Sequence, residues 1–291
     1  MTLTSLLVQP FADYGFMRSA LVATFALALG SAPIGTLLVL RRMSLVGDAM
    51  AHALLPGAAL GFLIAGFSLA AMSIGGFIAA LSVALAAGFV TRATAQREDA
   101  SFAAFYLIAL ALGVLLVSTH GSSVDLMHML FGTILAVDDV ALFLMAGVAS
   151  ASLLALAVMY RPLVVECLDP GFLQNVGGSG PLIHMLFLVL TVANLVAGFQ
   201  ALGTLMAVGL MMLPATAARF WASEVWSLML AATLIAMVSG FVGLLLSFHA
   251  EWPSGPAIVL VAGLIYLISI AAGYRDGLLW QYLQRSKHRI A

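Results

Sequence analysis

Long uncharged stretches limit the folds that are open to this chain. Between Arg42 and Arg92 the only charged residue is Asp48, and residues 19–40 carry no charge at all. Across the 291 residues, 64% are hydrophobic and 8% are charged, whereas a soluble domain has about 25% charged residues. A helix needs about 20 mostly apolar residues to cross a bilayer. The sequence therefore predicts an all-α, polytopic transmembrane helical bundle.

Uncharged segments of suitable length mark the membrane spans. The seventh segment is short and could form a hairpin with the sixth, so we expect eight to nine spans. Residues 1–273 then form one transmembrane domain, and residues 274–291 form a short basic tail that anchors at the lipid interface. The nine segments are 18–40, 45–66, 69–90, 102–119, 139–159, 181–199, 203–218, 225–248 and 256–273.

The distribution of basic residues predicts the orientation of these spans. With nine spans, ten of the eleven lysines and arginines lie on one side of the membrane and only Arg18 lies on the other. Because basic residues concentrate in cytoplasmic loops, the N-terminus is expected outside and the C-terminus in the cytoplasm. The predicted location is the cell inner (plasma) membrane.

Charge and residue usage exclude several functions. The formal net charge is −1 and there is no basic tract, so no nucleic-acid partner is expected. Lys287 is the only lysine, and a phosphate-binding loop of the Walker type needs a lysine after Gly-x-x-x-x-Gly. His-Glu-x-x-His, the zinc motif of many metalloproteases, is also absent. We therefore expect a protein that is not itself an enzyme.

Asp48 and His52 are the strongest candidates for a functional site. Apart from Asp139 at the first residue of the fifth span, Asp48 is the one acid within the proposed spans, and His52 follows four residues later, on the same face of a helix. An ionisable group inside a membrane is costly and is a functional candidate by default. A carboxylate with an imidazole suits zinc, manganese or ferrous iron. From the residues alone, a pair that merely caps the start of the second span near the interface is equally open.

Two other segments carry candidate residues. In the outer connection, Asp125 and His128 either receive an arriving cation or form an ordinary interfacial polar face. In the connection 160–180, Asp169-Pro170 predicts a helix start and Gly177-Gly178 its end. That short helix is either a structured loop or a docking site for a partner.

The remaining polar residues receive structural interpretations. Glu166 and Cys167 are interpreted as loop residues of the connection 160–180, and His184 as a buried or interfacial histidine. Asn194 and Gln200 are expected to form hydrogen bonds between helices.

Five stretches together resemble the membrane permeases of ATP-binding-cassette importers for zinc and manganese. The resemblance covers about residues 17–272, and the first and fourth stretches are the most specific. The stretches are LRRMSLVGDAMAHALLPG (40–57), VDLMHMLFGTILAV (124–137), LDPGFLQNVG (168–177), GLMMLPATAARF (209–220) and WPSGPAIVL (252–260).

The resemblance implies a permease that imports a divalent transition metal, Zn²⁺ first and Mn²⁺ next. It implies a translocation path between two copies of the chain, a cytoplasmic ATPase dimer and an extracytoplasmic metal-binding protein. ATP is then bound by the ATPase, the metal is cargo, and no cofactor is expected. The family's metal contacts match Asp48 and His52, with Asp125 and His128 as a candidate outer gate. The ATPase would dock on the segment that contains Asp169, Pro170, Phe172, Leu173 and Val176.

Two other functions fit the same composition. A proton-coupled secondary metal transporter would use Asp48 as its proton carrier, although no second acid is found in the interior of the proposed spans. A permease for an organic metal complex would have a wider path and would not need the Asp48–His52 pair.

Overall fold

The computed structural model describes residues 6–66, 68–120, 137–168, 180–275 and 277–280, and in these residues the regular secondary structure is all helical. Eight of the helices are long and apolar enough to cross a membrane. This confirms the predicted polytopic bundle. The helices, numbered in chain order, are α1 (Gln9–Asp13), α2 (Gly15–Leu40), α3 (Ser44–Ala65), α4 (Leu69–Ala93), α5 (Glu98–His120), α6 (Asp139–Leu168), α7 (Gly180–Leu202), α8 (Thr204–Ala218), α9 (Val225–Ala250) and α10 (Ser254–Ala272).

Helices α7 and α8 form the hairpin that the short seventh segment suggested. Only Gly203 separates them, and its φ of +86° is a backbone conformation that favours glycine. A Cβ at Gly198 would lie 2.7 Å from the Ala207 side chain, although residues nine apart in one helix are separated by about 13.5 Å. The chain therefore reverses at Gly203. With 15 residues, α8 is about 22 Å long, shorter than the roughly 30 Å hydrocarbon core.

The helices pack in two groups joined mainly by α7, which contacts α3 and α4 as well as α2 and α8. Helix α3 packs mainly against α4 and α5, while α8 and α9 pack against each other and against both α2 and α10. Helices α6 and α7 pack together and against α2. Two separate clusters of buried apolar side chains fill these groups. Although α2 and α3 are consecutive in the chain, they share little packing surface.

Buried hydroxyl and amide groups are satisfied within the bundle. The hydroxyls of Thr24, Ser31 and Thr191 each donate to the carbonyl four residues earlier, at 2.7–2.9 Å. Asn194 donates from Nδ2 to Ser152 Oγ at 2.6 Å, and so joins α7 to α6. This confirms the predicted interhelical role of Asn194. Such internal pairing is required where a bilayer offers no water.

Helix α6 differs from the sequence prediction. The fifth span was placed at 139–159, but the helix continues through Arg161 and Pro162 to Leu168. Glu166 therefore lies in a helix and within a candidate span, as does Cys167. Their interpretation as loop residues is wrong, and Asp48 is not the one acid within the spans. The helix continues because Arg161 is exposed, while Glu166 is buried against a basic partner from another helix.

Candidate metal site

The helix that carries Asp48 and His52 begins after a tight turn. Arg42 has a φ of +60°, the Arg42 N–H donates to the Val39 carbonyl, and the Met43 N–H donates to the Leu38 carbonyl at 2.9 Å. This is the Schellman arrangement that ends a helix with one left-handed residue. The turn stops α2 and places Ser44 at the start of α3, so that Asp48 falls in the second turn of a membrane-spanning helix.

Asp48 and His52 lie side by side on α3. The distance from His52 Nε2 to Asp48 Oδ1 is 3.5 Å, and the two side chains are 35% and 55% exposed on the isolated chain. Two ligand atoms that share one ion at bond lengths of about 2.0–2.2 Å are separated by about 3.0–3.6 Å at tetrahedral or octahedral angles. The observed spacing therefore suits one cation held by both side chains.

The imidazole of His52 is oriented by α5. Its ring stacks on that of Tyr106, with centroids 5.9 Å apart and an interplanar angle of 26°. Nδ1 is buried and has no hydrogen-bond partner among the described residues. Nε2 is the ring nitrogen that faces Asp48. The ring thus presents one nitrogen beside the carboxylate and turns the other into the protein.

The next turn of α3 is held tightly by its neighbours. Pro56 has no N–H, so the His52 carbonyl cannot receive the usual helical hydrogen bond from it. A Cβ at Gly113 of α5 would lie 3.0 Å from the Pro56 nitrogen, and a Cβ at Gly57 would collide with the backbone of Gly75 in α4. The helix that carries Asp48 and His52 is therefore in close contact with α4 and α5 one turn after His52.

The remaining predicted site residues are not described by the structure. Asp125 and His128 lie in 121–136, and the predicted docking residues lie in 169–179, both outside the described ranges. Among the residues that are described, no group of three or more His, Cys, Asp or Glu side chains could hold a metal ion. Within the described part of the chain, Asp48 and His52 could therefore supply two ligands but not a complete coordination shell.

A buried polar cluster that sequence reasoning missed lies where α2, α6 and α7 meet. Arg41 Nη2 lies 2.8 Å from Glu166 Oε1, and Arg41 Nη1 lies 2.8 Å from His184 Nδ1. The Arg41 guanidinium also covers the Phe187 ring at 5.2 Å. His184 is buried, as expected. The available signal was Arg41 at the end of one apolar segment, with an acid and a histidine near the ends of two others.

The tautomer of His184 follows from its partner. A guanidinium can only donate hydrogen bonds, so Nδ1 of His184 accepts from Arg41 and the ring proton is on Nε2. The 3.9 Å contact between His184 Nδ1 and Glu166 Oε1 is then not an ion pair. The cluster, which we call the Arg41 cluster (Arg41, Glu166, His184 and Phe187), thus contains one cation, one anion and one neutral imidazole.

These features define a class: a polytopic helical membrane protein that holds a pair of transition-metal ligand types within a membrane-spanning helix. The chain belongs to the ABC 3 transport family, whose model matches residues 13–273. It is the permease of an ABC-type metal importer in the plasma membrane, and a separate ATPase subunit hydrolyses ATP. The family implies an ATPase and a substrate-binding protein as partners. The resemblance found from the sequence is confirmed.

Several relatives cover nearly the whole chain. It is 32% identical over 257 residues to the manganese import system permease protein ScaB of Streptococcus parasanguinis, covering 88% of this chain and 90% of the relative. It is 30% identical over 268 residues to the chelated iron transport system membrane protein YfeD of Yersinia pestis, covering 92% and 89%. The structure of PsaBC from Streptococcus pneumoniae in complex with Fab matches with a TM-score of 0.83 and 28% identity, covering 98% of this chain and 100% of that chain.

Proposed function

We propose that this permease imports Mn²⁺ and that Asp48 and His52 contact the ion in transit. The observation that carries the proposal is a carboxylate oxygen and an imidazole nitrogen 3.5 Å apart on a membrane-spanning helix, both accessible on the isolated chain. A charged group on such a helix costs about 2.5–3.5 kcal/mol on insertion scales. A pair that only caps the start of the helix would not require a charged group within the span, whereas a path for a cation does.

The choice of metal rests on the relatives and on ligand chemistry. Zn²⁺, which the sequence resemblance put first, suits the same two ligands. The name of the ScaB relative refers to manganese, and this favours Mn²⁺ as the cargo. A competition experiment tests the choice of metal. An excess of unlabelled Zn²⁺ should reduce the uptake of radioactive Mn²⁺ less than the same concentration of unlabelled Mn²⁺ does. Stronger inhibition by Zn²⁺, together with direct Zn²⁺ uptake, would reverse the assignment.

The pair is suited to transit rather than storage. Ligand histidines in stable metal sites usually donate from the second nitrogen to an acceptor, which raises their basicity. His52 Nδ1 has no such acceptor among the described residues. Conduction requires binding that is weak enough to release the ion, and two ligands from one copy without this support meet that requirement.

We further propose that a second copy of the chain covers the exposed side of this pair. A half-exposed carboxylate at membrane depth requires protein or water beside it rather than lipid. Leu45, one turn before Asp48, is 59% exposed and would lie near the twofold axis. With Cys167 replaced by serine, Leu45→Cys should form a disulfide-linked dimer in membranes under mild oxidation. Val158→Cys, at an 82% exposed position on α6, is the control; equal crosslinking at both would refute this interface.

For the orientation and the partner contacts we propose what the sequence predicts. We place the ends of α2, α4, α6, α8 and α10 on the cytoplasmic side, because the basic residues follow them.

The ATPase would dock on the segment containing Asp169, Pro170, Phe172, Leu173 and Val176. Phe172→Ala should therefore reduce copurification of the ATPase. Asp125 and His128 would form the outer gate, and their alanine variants should raise the metal concentration needed for half-maximal uptake.

The central test replaces His52. His52→Ala should abolish ATP-dependent Mn²⁺ uptake in cells or proteoliposomes, with membrane insertion unchanged. His249→Ala is the matched control, because the contacts described for that imidazole are with the Leu245 carbonyl and the Phe248 ring of its own helix. Normal uptake by His52→Ala would refute the site assignment.

A second candidate cargo is an organic iron complex. The YfeD relative, whose name refers to chelated iron, favours it. Such a cargo would not need direct contact with Asp48 or His52. Uptake of a ferric chelate that persists in His52→Ala would support this function over import of the bare ion.

A further inference from the structure

We propose that Arg41 is a positioning residue that couples the ends of α6 and α7 to the helix that bears the Asp48–His52 pair. This inference rests on the proposed function. It depends on three observations: the Arg41 cluster joins three helices, the turn after Arg41 leads directly into α3, and α2 and α3 otherwise share little packing surface.

The cluster fixes one end of the bundle at a single side chain. The side chains of Arg41 and Glu166 are each 8% exposed, and that of His184 is 10% exposed. Glu166 lies two residues before the end of α6, and His184 lies in the second turn of α7. One guanidinium therefore contacts both the end of α6 and the start of α7. Any displacement of these ends must move Arg41 or break its two contacts.

The connection from Arg41 to the metal ligands is short and stiff. Arg41 is followed by the Schellman turn at Arg42 and Met43, and α3 begins at Ser44. Met43 is buried, so the turn is anchored in the core. Asp48 lies seven residues after Arg41. A shift of the guanidinium is thus passed through the turn to the start of α3, which packs as a unit with α4 and α5.

Stability alone is a poor explanation for this cluster. Burying an ion pair costs several kcal/mol of desolvation for each ion, and well-packed apolar residues of similar volume are often as stabilising or more so. The Arg41 guanidinium packs on the apolar Phe187 ring, a contact that a leucine side chain could also make. A charged pair with fixed geometry instead holds a defined arrangement of three helices, and this is what transmission of a movement requires.

The test separates coupling from folding. In proteoliposomes that contain the permease with its ATPase and binding protein, we would measure Mn²⁺ imported per ATP hydrolysed, together with the melting temperature. Arg41→Leu/Glu166→Leu should keep a melting temperature near that of the native chain but lower the ion-to-ATP ratio by about fivefold or more, the lower end of typical coupling energies. Arg161→Ala changes an exposed residue of α6, the helix that carries Glu166. It should leave both the melting temperature and the ion-to-ATP ratio unchanged.

A second variant applies if the double leucine variant does not fold. Arg41→Lys keeps the charge beside Glu166, but one ammonium lacks the planar fork that contacts Glu166 and His184 together. It should fold and show a reduced ion-to-ATP ratio. A folded variant of either kind with the native ratio would overturn the inference. If the native complex itself imports no metal, the proposed function fails instead, and the two failures are distinguishable.

Discussion

Replacing Gly57 with alanine tests whether close packing of α3 against α4 holds the helix that carries Asp48 and His52 in place. The new Cβ would lie 2.5 Å from the Gly75 carbonyl carbon and 2.6 Å from the Ala79 Cβ. Ordinary carbon–carbon contacts have separations of about 3.5–4.0 Å. The two helices must therefore separate by about 1 Å at this level, because the colliding atoms are backbone or a side chain without rotamers.

The expected free-energy change combines two terms of opposite sign. Overpacking a well-packed site costs typically about 1–3 kcal/mol. Replacing glycine by alanine within a helix contributes about 0.5–1 kcal/mol in the favourable direction, since less backbone entropy is lost on folding. The net effect of Gly57→Ala is then a loss of up to about 2.5 kcal/mol.

Gly88→Ala isolates the second, favourable term. Gly88 lies in α4, and a Cβ there would meet nothing within 4 Å, so this variant should gain the favourable term without the cost. The difference between the two variants is then about 1–3 kcal/mol. The assay is the melting temperature of the purified permease in one detergent, with metal uptake measured alongside.

The sign of the difference in melting temperature between the two variants tests this reasoning. We expect Gly88→Ala to melt at or above the native temperature and Gly57→Ala to melt below it. Uptake should fall only in Gly57→Ala, because Asp48 and His52 move with α3. If both alanine variants melt at the same temperature and transport equally, the argument that α3 is fixed by contact with α4 is refuted.

Three further predictions concern single contacts. Arg42→Gly should raise stability by up to about 1 kcal/mol in thermal unfolding, since the left-handed conformation at this residue disfavours a Cβ; a lower melting temperature would contradict the turn assignment. A double-mutant cycle of Asn194→Ala with Ser152→Ala should give a coupling energy of about 0.6 kcal/mol, and additive effects would exclude the bond. Tyr106→Leu should raise the Mn²⁺ concentration for half-maximal uptake, whereas Tyr106→Phe should not, because stacking on His52 needs only the ring.

The span pattern was predictable because hydrophobicity alone determines it. Helix α3 was placed at 45–66 and occupies Ser44–Ala65, since Arg42 and a glycine at position 66 bound an otherwise apolar segment. Helix α6 was placed too short because Arg161-Pro162 reads as an end of the span. Arg161 is exposed, so the helix can continue through it to Leu168. Whether an arginine is exposed depends on neighbouring helices that the sequence does not identify.

The local spacing of Asp48 and His52 was also accessible from sequence, because residues four apart share a helical face. The stacking of Tyr106 on His52 and the burial of Nδ1 were not, since they depend on how α5 packs against α3. The Arg41 cluster was inaccessible for the same reason. Arg41 and Glu166 are separated by more than a hundred residues, and no local pattern indicates that they meet.

Hydrophobicity and spacing along the chain were enough to predict a helical membrane protein, the position of most helices, and a polar pair within the second span. These properties follow from transfer of side chains between water and lipid, which is a property of each residue and its near neighbours. The packing of α4 and α5 against α3, and the buried Arg41–Glu166 ion pair that joins α2 to α6, emerged from the folded chain. Those outcomes depend on contacts between distant segments, because close packing and ion pairing act on the atoms that the fold brings together.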